Sequence, residues 1–384
     1  MFNFHSTSEL IFGNETSHNS SNRIIDILGK NIFVITDKGL TELGLLEPTI
    51  KKLKINSNVK IFNDVKSDPS KNTLLKAVEE AKEFKTTGVL GFGGGSSMDV
   101  AKLVSLILGS NQSIETIWGV NNAIAPRLPL SLIPTTAGTG SEVTPISIIT
   151  MDNKEKKGVS SKIILPDLAI LDPLLTINLP ANITASTGID AMVHAIEAYT
   201  SINSNNNPIS KMLSIEALKL LGSSIKSAVF DGQNINARSN MLLGSMLAGK
   251  AFANSPVAAV HALAYPIGGL FNISHGLSNS LVLPSVLRFN SKNEEAKKNY
   301  AYLAPYVFKD LDNKSDEEVC NNFIDRLENL SKELKLPYRL RDLEIPQEAC
   351  QLMAVEAMKQ TRLLINNPRK IEESDAFNIY KAAW

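Results

Sequence analysis

The stretch Gly88-Val-Leu-Gly-Phe-Gly-Gly-Gly-Ser-Ser-Met-Asp99 predicts a buried strand, a glycine-rich turn and the start of a helix, which continues as Val100-Ala-Lys-Leu-Val-Ser-Leu-Ile107. Consecutive glycines let the backbone approach a ligand closely, and the start of the following helix offers free N–H groups to a phosphate. The motif therefore predicts a nucleotide-phosphate loop, with Ser96 or Ser97 as the helix N-cap. The alternative is an ordinary glycine-rich turn capped by a serine.

Strand-like and helix-like segments alternate through the first half of the chain. The predicted strands are residues 31–36, 59–62, 88–92 and 130–133, and predicted helices lie near residues 40–53, 70–84 and 98–108. This alternation is typical of a parallel sheet that is covered by helices on both faces.

After Pro180 the strand signal disappears and helical periodicity takes over. Predicted helices in this half include residues 212–221, 237–253 and 316–334. We therefore predict two domains. The first is an N-terminal Rossmann-like α/β domain with a parallel sheet at residues 1–180, and the second is an all-α helical domain at residues 181–384.

Two further features of the first half indicate a nucleotide site. Asp37 ends the first predicted strand, and the hydroxyl-rich loop Pro134-Thr-Thr-Ala-Gly-Thr-Gly-Ser-Glu142 follows a later one. In the usual dinucleotide-binding unit the glycine loop follows the first strand and the ribose-binding acid ends the next. Here that order is reversed. Each loop alone is a weak signal, but two such loops at strand ends favour a nucleotide site.

Four residues of the second half, Asp190, His194, His261 and His275, are candidates for one divalent-metal site. Asp190 and His194 stand four apart in a helical segment, so their side chains share one face. His261 and His275 lie in residues 251–287, which contain no Asp, Glu, Lys or Arg. An unpartnered imidazole in such an interior costs roughly 1–3 kcal/mol, and this donor set suits Fe(II) or Zn(II). The alternative for each residue is a satisfied core histidine or a helix-surface Asp–His pair.

Composition excludes several classes of protein. The 39 acidic and 39 basic residues balance, so nothing indicates nucleic acid or an anionic membrane as a partner. Cys320 and Cys350 are too few for a disulfide framework and are predicted to be inert thiols. The first nine residues lack the basic and apolar regions of a signal peptide, and prolines and asparagines interrupt residues 251–287, as in a buried helix pair. We therefore expect a cytoplasmic protein.

Motifs along nearly the whole chain resemble those of a known family. They are Val34-Ile-Thr-Asp-Lys-Gly-Leu40, Gly93-Gly-Gly-Ser-Ser-Met-Asp99, Thr135-Thr-Ala-Gly-Thr-Gly-Ser-Glu-Val-Thr144, Leu165-Pro-Asp-Leu-Ala-Ile-Leu-Asp-Pro173, Gly188-Ile-Asp-Ala-Met-Val-His-Ala-Ile-Glu-Ala-Tyr199, His261-Ala-Leu-Ala-Tyr-Pro-Ile-Gly-Gly269 and His275-Gly276. The chain resembles the iron-containing (group III) alcohol dehydrogenases, which have the dehydroquinate-synthase-like fold. This resemblance implies an N-terminal NAD(P) domain, a helical metal domain and an active site in the cleft between them.

The resemblance also implies roles for individual residues. The metal ligands are expected at Asp190, His194, His261 and His275. Cofactor contacts are expected at Asp37 (adenosine ribose), at Gly94, Gly95, Ser96, Ser97 and Asp99 (pyrophosphate loop), at Thr135, Thr136 and Thr144 (second loop), and at Lys157, with Lys156 as the other register. Some members of the family carry a histidine that supports the metal ligands where this chain has Tyr265. This difference leaves any proton-relay role there open, because a phenol and an imidazole titrate about 3.5 pH units apart.

The activity that the resemblance implies is that of a metal-dependent alcohol dehydrogenase or aldehyde reductase, which transfers hydride between a nicotinamide and a small alcohol or aldehyde. The family also implies a homodimer. NAD is expected rather than NADP, because Asp37 would repel a 2′-phosphate. The expected metal is Fe(II), with Zn(II) or Mn(II) as alternatives.

Other readings of the sequence stay open. The first is another enzyme of the same fold, namely a glycerol dehydrogenase, a maleylacetate reductase or a dehydroquinate-synthase-like lyase. A lyase would need an anion pocket, and the uncharged run around His261 offers no arginine for one. The second is a non-catalytic NAD-binding protein.

Overall fold

The structure is a computed structural model that describes residues 1–124, 126–152, 155–312 and 314–384. The chain divides into two compact units. The first, which we call the sheet unit, is His5–Asn178. The second, the helical unit, is Leu179–Trp384 together with Met1–Phe4.

Parallel strands form the core of the sheet unit. In chain order the strands are β1 (Glu9–Phe12), β2 (Asn31–Asp37), β3 (Asn58–Val65), β4 (Gly88–Gly93), β5 (Gly119–Val120), β6 (Leu130–Pro134), β7 (Ile146–Thr150), β8 (Lys156–Ser160) and β9 (Leu168–Leu171). The main sheet has the order β1-β9-β6-β4-β2-β3, and all its pairings are parallel. Because β3 lies on one side of β2 and β4 on the other, the chain changes its winding direction there. Ligands of α/β proteins bind at such a switch point, at the carboxyl ends of the strands.

Strand β2 is a continuous apolar run because both faces of the sheet are covered. Ile32 and Val34 belong to the hydrophobic core on one face, whereas Phe33 and Ile35 belong to the core on the other. The helices that cover these faces are α1 (Thr16–Asn19), α2 (Ser21–Leu28), α3 (Lys38–Glu42), α4 (Glu47–Asn56), α5 (Lys71–Glu83) and α6 (Gly95–Ser110).

A smaller sheet has the order β5-β8-β7, in which β8 pairs antiparallel with β7 and parallel with β5. Strand β7 starts just after the hydroxyl-rich loop and packs against α6. The small sheet therefore anchors the far end of that loop.

The helical unit begins at Leu179. Its helices are α7 (Ala181–Thr200), α8 (Pro208–Phe230), α9 (Ile235–Asn254), α10 (Ala259–Phe271), α11 (His275–Asn290), α12 (Glu294–Val307), α13 (Asp316–Glu333), α14 (Ala349–Met358), α15 (Thr361–Leu364) and α16 (Glu373–Ala383). Helix α7 is buried along most of its length and packs against α8, α9 and α11. The uncharged run of residues 251–287 includes all of α10 and most of α11.

These elements confirm the predicted fold class of a parallel-sheet domain with helices followed by a helical domain. Strands β1 and β9 and the small sheet were missed, because strands of two to five residues give little periodicity. Asp37 ends the second strand rather than the first, since the short β1 precedes it. The single helix predicted at residues 40–53 is wrong. Gly44, with φ of +69°, separates α3 from α4.

The predicted serine N-cap of α6 is also wrong. The cap is Gly94, and Ser97 is buried inside the first turn. The helix starts early because Gly93 takes a φ of +154°, where an added Cβ would lie 2.8 Å from Oγ of Ser97. Only glycine provides this backbone conformation without steric conflict. The early start brings the free N–H groups of the helix close to the end of β4.

Both cysteines are buried and free, as predicted. Burial raises the pKa of the Cys320 thiol to about 11, which suppresses the reactive thiolate. Among the described residues, none of the helices combines the length and the apolar character needed to cross a bilayer.

Candidate metal centre and cofactor loops

The helical unit brings the four candidate ligands together. Asp190 and His194 lie one turn apart on α7, His261 lies in the first turn of α10, and His275 is the first residue of α11. Their potential ligand atoms all lie within 4.8 Å of one another. Asp190, His194 and His261 are buried, and the side chain of His275 is one-third exposed. The cluster is therefore an interior site with one more accessible member.

Glycine at position 276 lets α11 reach α7. An added Cβ on Gly276 would lie 2.5 Å from the backbone oxygen of Ser186 and 3.3 Å from Cβ of Asp190. Contact this close leaves no room for a larger residue. The resulting approach places Nε2 of His275 3.8 Å from Oδ1 of Asp190.

Glu197, one turn beyond His194 on α7, fixes the orientation of His261. Its carboxylate accepts hydrogen bonds from the backbone N–H groups of Ala258 (3.0 Å) and Val260 (2.6 Å) and pairs with Nδ1 of His261 at 2.7 Å. An ionised carboxylate can only accept, so Nδ1 must donate. The Nε2 atom of a neutral His261 then carries the lone pair and lies 3.9 Å from Oδ1 of Asp190.

The chemistry of this cluster fits a divalent cation. Nε2 of His261 is buried and has no hydrogen-bond partner among the described residues. Oδ1 of Asp190 accepts a 2.6 Å hydrogen bond from Nδ2 of Asn279 and lies near two imidazoles. Both atoms could coordinate a bound cation. A histidine ligand of a metal usually donates its other ring N–H to a carboxylate, as His261 does to Glu197.

Aromatic rings and one arginine border the cluster. Phe252 stacks on His194, with ring centroids 4.3 Å apart. Tyr265 occupies the position at which some members of the family carry a histidine. The centroid of its ring lies 5.9 Å from that of His275. The Tyr265 hydroxyl accepts a 3.4 Å hydrogen bond from Arg362 on α15. The uncharged run around His261 itself contains no arginine, but Arg362 reaches this neighbourhood from a distant segment of the chain.

The sheet unit brings the predicted cofactor residues to one edge. Because β2, β4 and β6 are adjacent and parallel, Asp37, the glycine loop and Thr135 follow the carboxyl ends of neighbouring strands. The two loops also touch, since an added Cβ on Gly95 would lie 3.0 Å from the Thr139 side chain. The N-terminus of α6 and the hydroxyl-rich loop are therefore in contact, although the side chains of Ser97, Thr135 and Thr144 are buried.

Asp37 accepts a 2.9 Å hydrogen bond from the backbone N–H of Leu40 and so caps α3. It lies in register with Asp64 on β3. Lys38, which could have neutralised a phosphate beside Asp37, pairs instead with Asp64 at 3.5 Å. The end of β2 therefore keeps an acidic character.

Asp99 and Lys156 are engaged by other residues of the sheet unit, whereas Lys157 is not in an ion pair with any described residue. Both carboxylate oxygens of Asp99 are engaged inside the protein, by the Ser141 hydroxyl at 2.7 Å and the Ile148 N–H at 2.8 Å. Lys156 pairs with Asp68 at 2.7 Å. Successive side chains of a strand point to opposite faces, so Lys157 points away from that ion pair. It makes no ion pair with any described residue.

Comparisons with known proteins agree with this geometry. The profile described as iron-containing alcohol dehydrogenase matches residues 7–173, and that of the C-terminal part of the Fe-containing alcohol dehydrogenase family matches residues 184–384. Long-chain-alcohol dehydrogenase 1 of Geobacillus thermodenitrificans is 38% identical over 92% of this chain and 90% of its own. This chain belongs to the iron-containing alcohol dehydrogenase family. It is an oxidoreductase that acts on alcohols.

Solved structures support the membership. An alcohol dehydrogenase from Oenococcus oeni has a TM-score of 0.95 at 30% identity, with 100% of both chains covered. Sulfoacetaldehyde reductase from Bifidobacterium kashiwanohense in complex with NAD+ has a TM-score of 0.88 at 27% identity, with 100% of this chain and 98% of that chain covered.

Two residues that hydrogen-bond the candidate metal ligands, Glu197 and Asn279, could have been found from their spacing in the sequence. Glu197 follows His194 by three residues and Asp190 by seven, so it lies on the same helical face. Asn279 follows His275 by four residues. For Arg362 there was no such signal, because only the tertiary fold brings α15 beside α10.

We expect Glu197→Ala to weaken the binding of Zn(II) to the metal-free protein by roughly 10- to 100-fold, the usual effect of losing an outer-shell partner. The substitution removes the acceptor for Nδ1 of His261, so that ring no longer has a fixed tautomer. Glu197→Gln, which keeps the shape and one acceptor, should lose less. Titration against a competing chelator measures the affinity.

Glu216→Ala, at an exposed glutamate of α8, is the matched control, and thermal unfolding of each metal-free variant checks that it folds. Unchanged Zn(II) affinity in a folded Glu197→Ala protein would show that Glu197 does not support the site.

Proposed function

We propose that this enzyme interconverts small alcohols and aldehydes with NAD(H). Residues 181–384 would hold one divalent cation through Asp190, His194, His261 and His275, and residues 1–180 would bind the cofactor. The observation that carries this proposal is the buried, unpartnered Nε2 of His261 within a cluster of three imidazoles and one carboxylate. The donor set suits Fe(II), with Zn(II) or Mn(II) as alternatives.

The residues around the cluster have separable tasks. A bound divalent cation would supply Lewis acidity toward the oxygen of the alcohol or aldehyde. Glu197 keeps the Nε2 lone pair of His261 directed into the cluster, and Asn279 orients the carboxylate of Asp190. Phe252 covers one face of the His194 ring and so limits its contact with water. His275 is the more exposed member, and we place the substrate on its side.

The cofactor proposal rests on the strand ends of the sheet unit. Gly94, Gly95, Ser96 and Ser97 offer the N-terminus of α6 to the pyrophosphate. Thr135, Thr136 and Thr144 line the second loop, and Lys157 rather than Lys156 supplies a cation, since Lys156 is paired with Asp68. Asp37 would read the adenosine ribose. We further propose a homodimer, as the family resemblance implies, and a cytoplasmic location, as expected from the sequence of the first nine residues.

We expect His261→Ala to abolish turnover and the retention of metal while NADH still binds. The variant removes one of the four ligands in the helical unit and leaves the loops of the sheet unit untouched. Metal content after dialysis, NADH fluorescence and NADH oxidation with a short aldehyde measure the three properties.

His5→Ala, at an exposed histidine outside the cluster, is the control and should keep all three. Full activity in metal-free His261→Ala protein would refute the metal mechanism. The metal mechanism would also be refuted if the wild-type enzyme kept its full activity after its metal was removed.

We expect a preference for NAD(H) over NADP(H) that Asp37→Gly and Asp37→Asn both relax, by roughly 10- to 100-fold in the ratio of kcat/KM values. Like charges at 4 Å repel by about 4 kcal/mol at an effective dielectric of 20, and solvent screening at this half-exposed carboxylate reduces that figure. The neutral Asn variant can still cap α3, so it separates charge from loop structure. Equal efficiency of wild type with NADPH would show that Asp37 does not read the ribose.

A second candidate function is the reduction of an aldehyde that carries an anionic group. The observation that favours it is Arg362, whose guanidinium donates to the Tyr265 hydroxyl beside His275 and forms no ion pair with any described residue. A guanidinium is well suited to bind a carboxylate or sulfonate. The structural neighbour described as a sulfoacetaldehyde reductase is consistent with such a substrate.

The test compares butanal with 4-oxobutanoate, which differ by a terminal carboxylate. Under this second function wild type prefers the anion, and Arg362→Leu lowers kcat/KM for the anion by roughly tenfold or more, as expected for a lost charge-assisted contact, while butanal is unaffected. Arg341→Leu, at another exposed arginine of the helical unit, is the control. Equal use of both aldehydes by wild type would exclude the second function and leave the first intact.

A further inference from the structure

Helix α6 contains a lysine whose role none of the expected cofactor contacts explains. The side chain of Lys102 is 0% exposed. It lies two turns beyond the glycine loop, between apolar residues of the helix. Burial of an ammonium group is costly unless its donors are satisfied, so the environment of Lys102 must be built to hold it.

Its environment is the segment that ends the hydroxyl-rich loop. The Lys102 ammonium donates to Oγ of Ser141 at 2.8 Å, to Oγ1 of Thr144 at 3.3 Å and to the backbone oxygen of Ile146 at 2.7 Å. An ammonium has three donors, and all three are used on residues 141–146. Lys102 therefore joins the helix of the first cofactor loop to the end of the second.

Asp99, one turn earlier on α6, reinforces this connection. Its carboxylate accepts from the Ser141 hydroxyl and from the Ile148 N–H, and its backbone oxygen accepts a 2.9 Å hydrogen bond from Ser147. Nζ of Lys102 lies 3.8 Å from Oδ1 of Asp99. The two side chains thus bind both ends of the segment 141–148, and Ser141 contacts both.

We propose that Lys102, Asp99 and Ser141 form a buried clamp that holds the two cofactor loops in register. This inference rests on the proposed cofactor site. In it, Lys102 and Asp99 are positioning residues that act through the loops. The role of Asp99 then differs from the direct cofactor contact that the family resemblance implied, since both of its oxygens are already used within the protein.

The charges of the clamp agree with that role. The ammonium of Lys102 faces the carboxylates of Asp99 and Glu142, of which Glu142 is also buried. Burial, opposed in part by the two carboxylates, lowers the pKa of Lys102 to about 8. The lysine is therefore still mainly charged at neutral pH. A neutral side chain in its place would remove the positive charge that faces Asp99 and Glu142 beneath the proposed cofactor loops.

The test measures NADH binding to the metal-free protein by fluorescence, together with steady-state kinetics of the metal-loaded enzyme. We expect Lys102→Met to raise the Kd for NADH by roughly tenfold or more, and Ser141→Ala by a smaller factor, since each removes buried hydrogen bonds to a charged group. The KM for NADH should rise in parallel, with kcat changed by less than about threefold, because the clamp touches none of the four metal-site residues. Zn(II) affinity should stay at the wild-type value.

Lys82→Met, the same substitution at an exposed position of α5, is the matched control. Ser141→Ala serves where Lys102→Met fails to fold, because it removes one hydroxyl and leaves the buried charges in place. A folded Ser141→Ala or Lys102→Met protein with wild-type Kd and KM for NADH would overturn the clamp. Failure of wild type itself to bind NADH would instead overturn the proposed function.

Discussion

Two carboxylates on one face of α7, Asp190 and Glu197, are buried in the helical unit, and the structure around them follows from the need to satisfy them. An ionised carboxylate without partners costs several kcal/mol in such an interior. Glu197 is satisfied by the first turn of α10, through two backbone N–H groups and His261. Oδ1 of Asp190 accepts a hydrogen bond from Asn279 of α11 and lies near the imidazoles of His261 and His275. The buried Nε2 of His261, which has no hydrogen-bond partner among the described residues, is the observation that supports our proposal of a cation at this cluster.

In the sheet unit the buried charge that must be satisfied is positive rather than negative. There the buried charge is a cation, Lys102, and its partners are hydroxyls, a backbone carbonyl and the nearby Asp99. All three of its donors are used, so no vacancy is left for a ligand. By contrast, Nε2 of His261 has no hydrogen-bond partner among the described residues and lies among other potential metal ligands. This difference explains why we assign positioning to Lys102 and ligation to His261, although both are buried polar groups.

The sequence predicted what depends on local spacing. The four-residue interval of Asp190 and His194, the uncharged run that carries His261 and His275, and the glycine-rich turn after a buried strand led to the fold class and to a cluster that the structure does assemble. It failed where the partner is distant in sequence or the element is short. Arg362 reaches Tyr265 from 97 residues away, and strand β9 has only four residues. The buried partners of Lys102 could have been anticipated, because a lysine within an otherwise apolar helix indicates a buried polar partner.

The division between buried and exposed groups also explains how one fold serves different substrates. Replacing Glu197, Asp190 or Lys102 would leave its buried partners unsatisfied, so chemistry and cofactor geometry are costly to change. Asp37 and Arg362 lie at the surface of their units, where a substitution costs little stability but alters the charge that a cofactor or substrate meets. Relatives described as acting on long-chain alcohols and on sulfoacetaldehyde share this fold with the chain. Specificity in this enzyme should therefore reside in a few exposed charges, whereas the buried charged groups Glu197 and Lys102 keep their hydrogen-bond partners.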